Sequence, residues 1–137
     1  MTEEILPPPG VGPHEDRELE LMLAGTKPLA MFGDAVGSGY EFPEADFAPY
    51  VADGTFVRRE MIYRPRRQSV PVRYVYFARA GEAWRIDAMH KIHKGIFERG
   101  DGSSIETERR IGRLLGYAEP DIEVWIAWIE SHGFFRT

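Results

Sequence analysis

The sequence predicts an α+β domain: a small antiparallel sheet of about three strands with a central arginine-rich hairpin, packed by N-terminal and C-terminal helices and ending in a helical hairpin. Three observations predict it. Residues 55–64 (TFVRREMIYR) and 70–80 (VPVRYVYFARA) are dense in β-branched and aromatic side chains and flank a turn rich in proline and arginine. Apolar residues at helical spacing precede these runs and recur from residue 84 to the C-terminus. The resulting order, α, β, α, β, β, α, α, α, clusters strands centrally and segregates helices to the end, which argues against a parallel α/β sheet.

Each element has a local cause. Residues 1–13 are acidic and proline-rich and read as a disordered or polyproline-type tail, leaving 14–137 as a single domain. A first helix is expected over residues 13–25. Pro13 suits the first turn, Glu15 and Asp16 favour the positive helix start, Leu19, Met22 and Leu23 share one face, and Gly25 is the stop. Residues 27–32 form a short apolar strand, and Gly33, Gly37 and Gly39 punctuate the loop after it. A short helix follows over 46–54, with Asp46 as cap and Gly54 as stop. In the second strand of the hairpin, Val72, Tyr74, Tyr76 and Ala78 alternate with Arg73, Val75, Phe77 and Arg79. One face is thus more apolar than the other, but neither is cleanly polar. Residues 81–98 read as a helix ending near Gly95 or Phe97. Two more helices lie either side of a tight turn at Gly116 and Tyr117.

Composition narrows the function classes. A chain of 137 residues is one domain, large enough to fold without staples. Apolar residues make up 43% and charged residues 28%, an ordinary globular balance. The absence of cysteine excludes disulfides, thiolate metal sites and cysteine nucleophiles. The N-terminus lacks the basic start and apolar core of a secretory signal, and the longest apolar-rich segment, 122–129, is interrupted by Glu123 and too short to span a bilayer. A soluble, cytoplasmic protein with no membrane association is expected.

Charge is unevenly laid out. Residues 1–54 carry eleven acids and two bases, residues 55–113 fourteen bases and seven acids, and residues 114–137 four acids and one base. Twelve of the fourteen arginines lie in the middle block. Arginine grips carboxylate and phosphate bidentately. Two readings follow: the acidic ends fold against the basic middle, or the middle holds an anionic partner. Arg58, Arg59, Arg64, Arg66, Arg67 and Arg73 surround the hairpin with Tyr63, Tyr74 and Tyr76 interleaved; Arg58, Arg64, Arg66, Arg67, Arg73, Tyr74 and Tyr76 with Trp84 are the candidate ligand-binding residues. An acidic protein surface or a phosphorylated ligand fits better than nucleic acid, which the overall charge of −5 disfavours.

The stretch WRIDAMHKIHKG, residues 84–95, sets out the candidate chemistry. On a helix, Ile86, Met89, His93, Ile96 and Phe97 share one side, with His90 at its edge. His90 and His93 are i, i+3 neighbours, and Asp87 stands i, i+3 to His90, where a carboxylate can orient its ring. His93, His90 and Asp87 are therefore the candidate acid–base groups. The stretch lacks H-E-x-x-H and E-x-x-H spacing. A metal would need a third ligand, such as His14 or His132, and neither metal nor cofactor is expected. The alternative is that His93 packs in the core with one hydrogen bond.

Residues 111–128, IGRLLGYAEPDIEVWIAW, resemble the repressor-type helix-turn-helix pattern in the small Gly112, the turn Gly116 and the apolar Ile122 and Trp125. The helix that would read DNA carries Glu119, Asp121, Glu123 and Glu130, which phosphates would repel, so a packed helical hairpin is expected instead. Ile122, Trp125, Ile126 and Ile129 make one apolar side of the last helix, either core or a homodimer surface. The leading expectation is a binding or regulatory module for an anionic partner, using the arginine-rich hairpin. The alternative is a small enzyme in which His93 or His90, with Asp87, works on an anionic molecule in a cleft lined by Trp84, Tyr74 and Tyr76.

Overall fold

The computed structural model describes residue 14, residues 16–102 and residues 104–131. The expected tail, His132, Phe134 and Phe135 lie outside them. The elements run α1 (Glu18–Leu23), β1 (Leu29–Ala35), α2 (Glu44–Ala52), β2 (Phe56–Tyr63), β3 (Val72–Arg79), α3 (Trp84–Lys94), a π-helical turn (Gly95–Arg99), α4 (Ile105–Leu115) and α5 (Glu119–Ser131). The fold is α+β, with the sheet ordered β1-β3-β2 and antiparallel throughout.

β3 lies between its partners, and both its faces are covered. Val75 and Phe77 point into a core with Met22 of α1, Phe47 of α2, Ala30 and Phe56. Tyr76 and Ala78 point the other way, against Ile86 and Met89 of α3, Leu114 of α4, and Leu29. This explains the mixed alternation in the sequence: a central strand between two helical layers has no solvent face to make polar. α5 packs on α4, burying Ile122, Ile126 and Ile129. Most of the apolar stripe on the last helix is thus core. Among the described residues, no helix is long and apolar enough to cross a membrane.

Three boundaries differ from expectation, each for a physical reason. α1 starts at Glu18 because Asp16 sits at φ 65°, a left-handed conformation that interrupts a right-handed helix. α2 starts at Glu44, with Pro43 in the capping position and no side-chain cap, rather than at Asp46. β1 continues through Gly33 to Ala35, where a loop was expected. Gly33 pairs with Tyr74, and an added Cβ would lie 2.4 Å from the Tyr74 ring, so the glycine gives that ring its seat.

Candidate functional site

α3 lies across the sheet face formed by Met61, Tyr63, Tyr74 and Tyr76. Its buried residues Ile86, Met89 and His93 follow the 3–4 spacing of one helical face. His93 is 5% exposed and His90 half-buried. The question posed by the two histidines resolves geometrically: His93 packs against the sheet.

Both imidazoles are tied to tyrosines. His93 Nδ1 lies 2.6 Å from Tyr76 Oη, Tyr76 Oη 2.7 Å from Tyr63 Oη, and Tyr63 Oη 2.8 Å from His90 Nδ1. Four side chains from β2, β3 and α3 thus form one hydrogen-bonded line. Tyr74 lies beside it, its ring centroid 4.4 Å from that of His93. Burial pushes the Tyr63 phenol up to about 12 and the Tyr76 phenol further. Burial, then the neighbouring His90, pulls His93 down to about 4. At neutral pH Tyr63, Tyr76 and His93 are all uncharged.

The other expected members of this site are placed elsewhere. Asp87 is exposed and its side chain makes no hydrogen bond among the described residues; the His90 ring it was expected to orient is bonded through Nδ1 to Tyr63 instead. Trp84 is 55% exposed, with the Arg85 guanidinium over its ring, and stands nine residues from His93, about 13 Å along the helix. Trp84 is therefore set apart from the group that Tyr74 and Tyr76 form with His93. His14 is engaged at the C-terminal end of α4, stacked on Tyr117 at 3.8 Å and 2.8 Å from Lys27 Nζ. Among the described residues no three histidine or acidic side chains converge as metal ligands.

The arginines differ in their partners. Glu44, in the first turn of α2, bonds both Arg58 (2.5 Å) and Arg73 (2.9 Å), and Glu60 also takes Arg73. Across α4 and α5, Glu123 holds Arg109 through two bonds and Glu119 holds Arg113 likewise. Acids from both ends therefore neutralise part of the basic middle. The hairpin end differs. Among the described residues, the side chains of Arg64, Arg66 and Arg67 meet no carboxylate, and all three are exposed. Their loop is nonetheless anchored: Arg66 donates its amide to Phe97 O (3.1 Å) and its guanidinium to Arg99 O (2.8 Å), and the Arg64 amide donates to Glu98. The π-helical turn that follows His93 thus fixes the arginine-bearing loop.

Two groups have roles that the sequence does not announce. Tyr63 links the histidines, and only the hairpin register shows that it shares a face with Tyr76. Lys27 is 3% exposed, donates to Leu115 O at 2.9 Å, and is held down to about 8 by burial. With Arg85, which donates to the carbonyls of Arg113 and Leu114, it closes the C-terminus of α4. A cleft of about 690 Å³ lies by α1, β1 and α2. Asp16, Glu18, Asp34, Glu41 and Asp46 line it, a set that repels anions.

Compared with known proteins, the chain matches no family model, no curated protein and no solved structure.

Proposed function

We propose that the protein is a small binding module that takes an anionic partner at the end of its β2–β3 hairpin, through Arg64, Arg66 and Arg67. One observation carries this reading: among the described residues, a fold that pairs Arg58, Arg73, Arg109 and Arg113 with carboxylates leaves Arg64, Arg66 and Arg67 without one and gathered in a single loop, whereas the other arginines that meet no carboxylate, Arg59, Arg79 and Arg110, stand apart on β2, β3 and α4. Their loop is anchored by backbone bonds to the π-helical turn, so an incoming carboxylate or phosphate meets donors on a fixed base. The proposed site leaves out Arg58 and Arg73, whose guanidinia already bond Glu44 and Glu60. The acidic ends disfavour unselective binding to nucleic acid.

The test is titration with polyphosphate, polyglutamate and a single-stranded oligonucleotide across about 50 to 200 mM salt. The expected result is binding of polyphosphate or polyglutamate that weakens with salt and is lost in the triple variant Arg64→Ala, Arg66→Ala, Arg67→Ala. Affinity indifferent to salt and to these substitutions would overturn the proposal.

The hydrogen-bonded line from His90 to His93 favours a second reading, acid–base chemistry on an anionic molecule. In that reading Tyr63, rather than Asp87, orients His90.

A further inference from the structure

β2 is an edge strand: the sheet runs β1-β3-β2, so one side of β2 has no strand beside it. Which backbone groups that side carries follows from the hydrogen bonds at the end of the sheet. Arg79 donates its amide to Pro28 O and Ala80 donates to Thr55 O, so alternate residues of β3 face β1 and β2. With Phe56 opposite Arg79, Thr55 and every second residue to Tyr63 turn their amides and carbonyls to β3. Phe56, Arg58, Glu60 and Ile62 turn theirs outward. Among the described residues these four find no outward backbone partner; the next in the series, Arg64, donates its amide to Glu98. Helices pack on both faces of the strand, around Phe56 on one and Val57 and Met61 on the other, but the middle of its edge is open. Arg58, Arg59, Glu60 and Ile62 are all exposed, Ile62 by 54%.

An added strand gains its affinity from such free backbone groups and its specificity from the side chains it meets. Charge on an edge strand ordinarily wards off pairing. Here the charge is self-complementary. Three antiparallel registers centre two copies of β2 on the exposed stretch with the outward residues opposed. Centred on Arg58 or on Glu60, each puts like charges face to face. Centred on Arg59, the pairing sets Arg58 opposite Glu60 of the second copy, twice by symmetry, and Ile62 opposite its Phe56, also twice. On the other sheet face Val57 meets Met61. The cost is one like-charge pair, Arg59 against Arg59. Opposite-charge pairs stabilise by about as much as like-charge pairs destabilise, so two favourable pairs outweigh one unfavourable pair before the apolar contacts are added.

We propose that β2 is a self-association edge: two copies of this chain pair antiparallel through Phe56–Ile62, centred on Arg59, and join their sheets into one of six strands. The contact is isologous and closes on itself, so it yields a dimer rather than a filament. Pairing at this edge does not depend on anion binding at the hairpin end.

The experiment is sedimentation equilibrium of the full chain from low micromolar to submillimolar concentration, with amide hydrogen exchange at both ends of that range. The expected result is a monomer–dimer equilibrium in which the amides of Arg58, Glu60 and Ile62 exchange more slowly as dimer accumulates. Those of Val57, Arg59 and Met61, already bonded to β3, keep their rates. Arg59→Gln removes the one like-charge pair and is expected to tighten the dimer by up to about fivefold. Ile62→Lys, at an exposed position and acting twice by symmetry, is expected to weaken it about tenfold or more. A monomer at every concentration would overturn the proposal. So would a dimer whose Arg58, Glu60 and Ile62 amides exchange as in the monomer, or an association that neither substitution alters.

Discussion

Protonation of His93 gives the most quantitative handle on the fold. In the unfolded chain the imidazole binds a proton near its ordinary 6.5, and in the fold burial holds it down to about 4. Between these values the unfolded state binds more protons, so stability falls as pH falls from 6.5 towards 4 and is fully present above 6.5. A separation of about 2.5 pH units corresponds to at most about 3 kcal/mol. The Tyr76–His93 bond makes the group specific, since Nδ1 accepts from the phenol only while it is unprotonated. The assay compares urea unfolding of the protein and of His93→Gln at pH 7 and pH 4. His14, also held down to about 4, and the general rise in positive charge act in both proteins and cancel in the difference. With an m-value of about 2 kcal/mol/M, the unaltered protein should lose about 1.5 M more midpoint than the variant. Equal losses would show that His93 is not held neutral by the core.

Other expectations follow from single contacts. Gly116 sits at φ 87° with Pro28 Cδ 2.5 Å from an added Cβ, so Gly116→Ala should cost about 1–3 kcal/mol in thermal or urea unfolding. Gly112→Ala drives a methyl to within 2.9 Å of Ile122, at a cost of about 1–3 kcal/mol that Ile122→Val should partly relieve in a double-mutant cycle. Glu44→Ala removes the carboxylate that Arg58 and Arg73 share. Arg73 keeps Glu60, so the gain in free positive charge is mainly at Arg58; the change should cost about 1 kcal/mol or less, because these ion pairs are a third exposed, and it should tighten polyphosphate binding. Gly33→Ala displaces the Tyr74 ring, which should appear as a changed chemical shift of the His93 ring protons.

Much of the fold is legible because its signals are local. The β-branched and aromatic runs mark β2 and β3, and the Ile86, Met89, His93 spacing marks the buried face of α3. Gly112 and Ile122 meet where the small and apolar positions suggested. What was not legible depends on register and on partners distant in sequence. Nothing near Glu44 announces that it neutralises Arg58 and Arg73, since the ion pairs form only once α2 packs beside β2 and β3. Asp87 and Trp84 looked like site residues because both lie close to His90 along the chain, yet helical phase points Asp87 to solvent and places Trp84 at the far end of α3. Nothing around Lys27 in the sequence announces its burial, which accompanies its bond to the Leu115 carbonyl at the C-terminus of α4.

Anion binding at the hairpin end is tested most directly by amide chemical-shift mapping with polyphosphate. The prediction is that shifts concentrate in residues 64–68 and in residues 97–101, which hold that loop through the Phe97 and Arg99 carbonyls. No shifts, or shifts centred on the acidic cleft by α1 and α2, would contradict it.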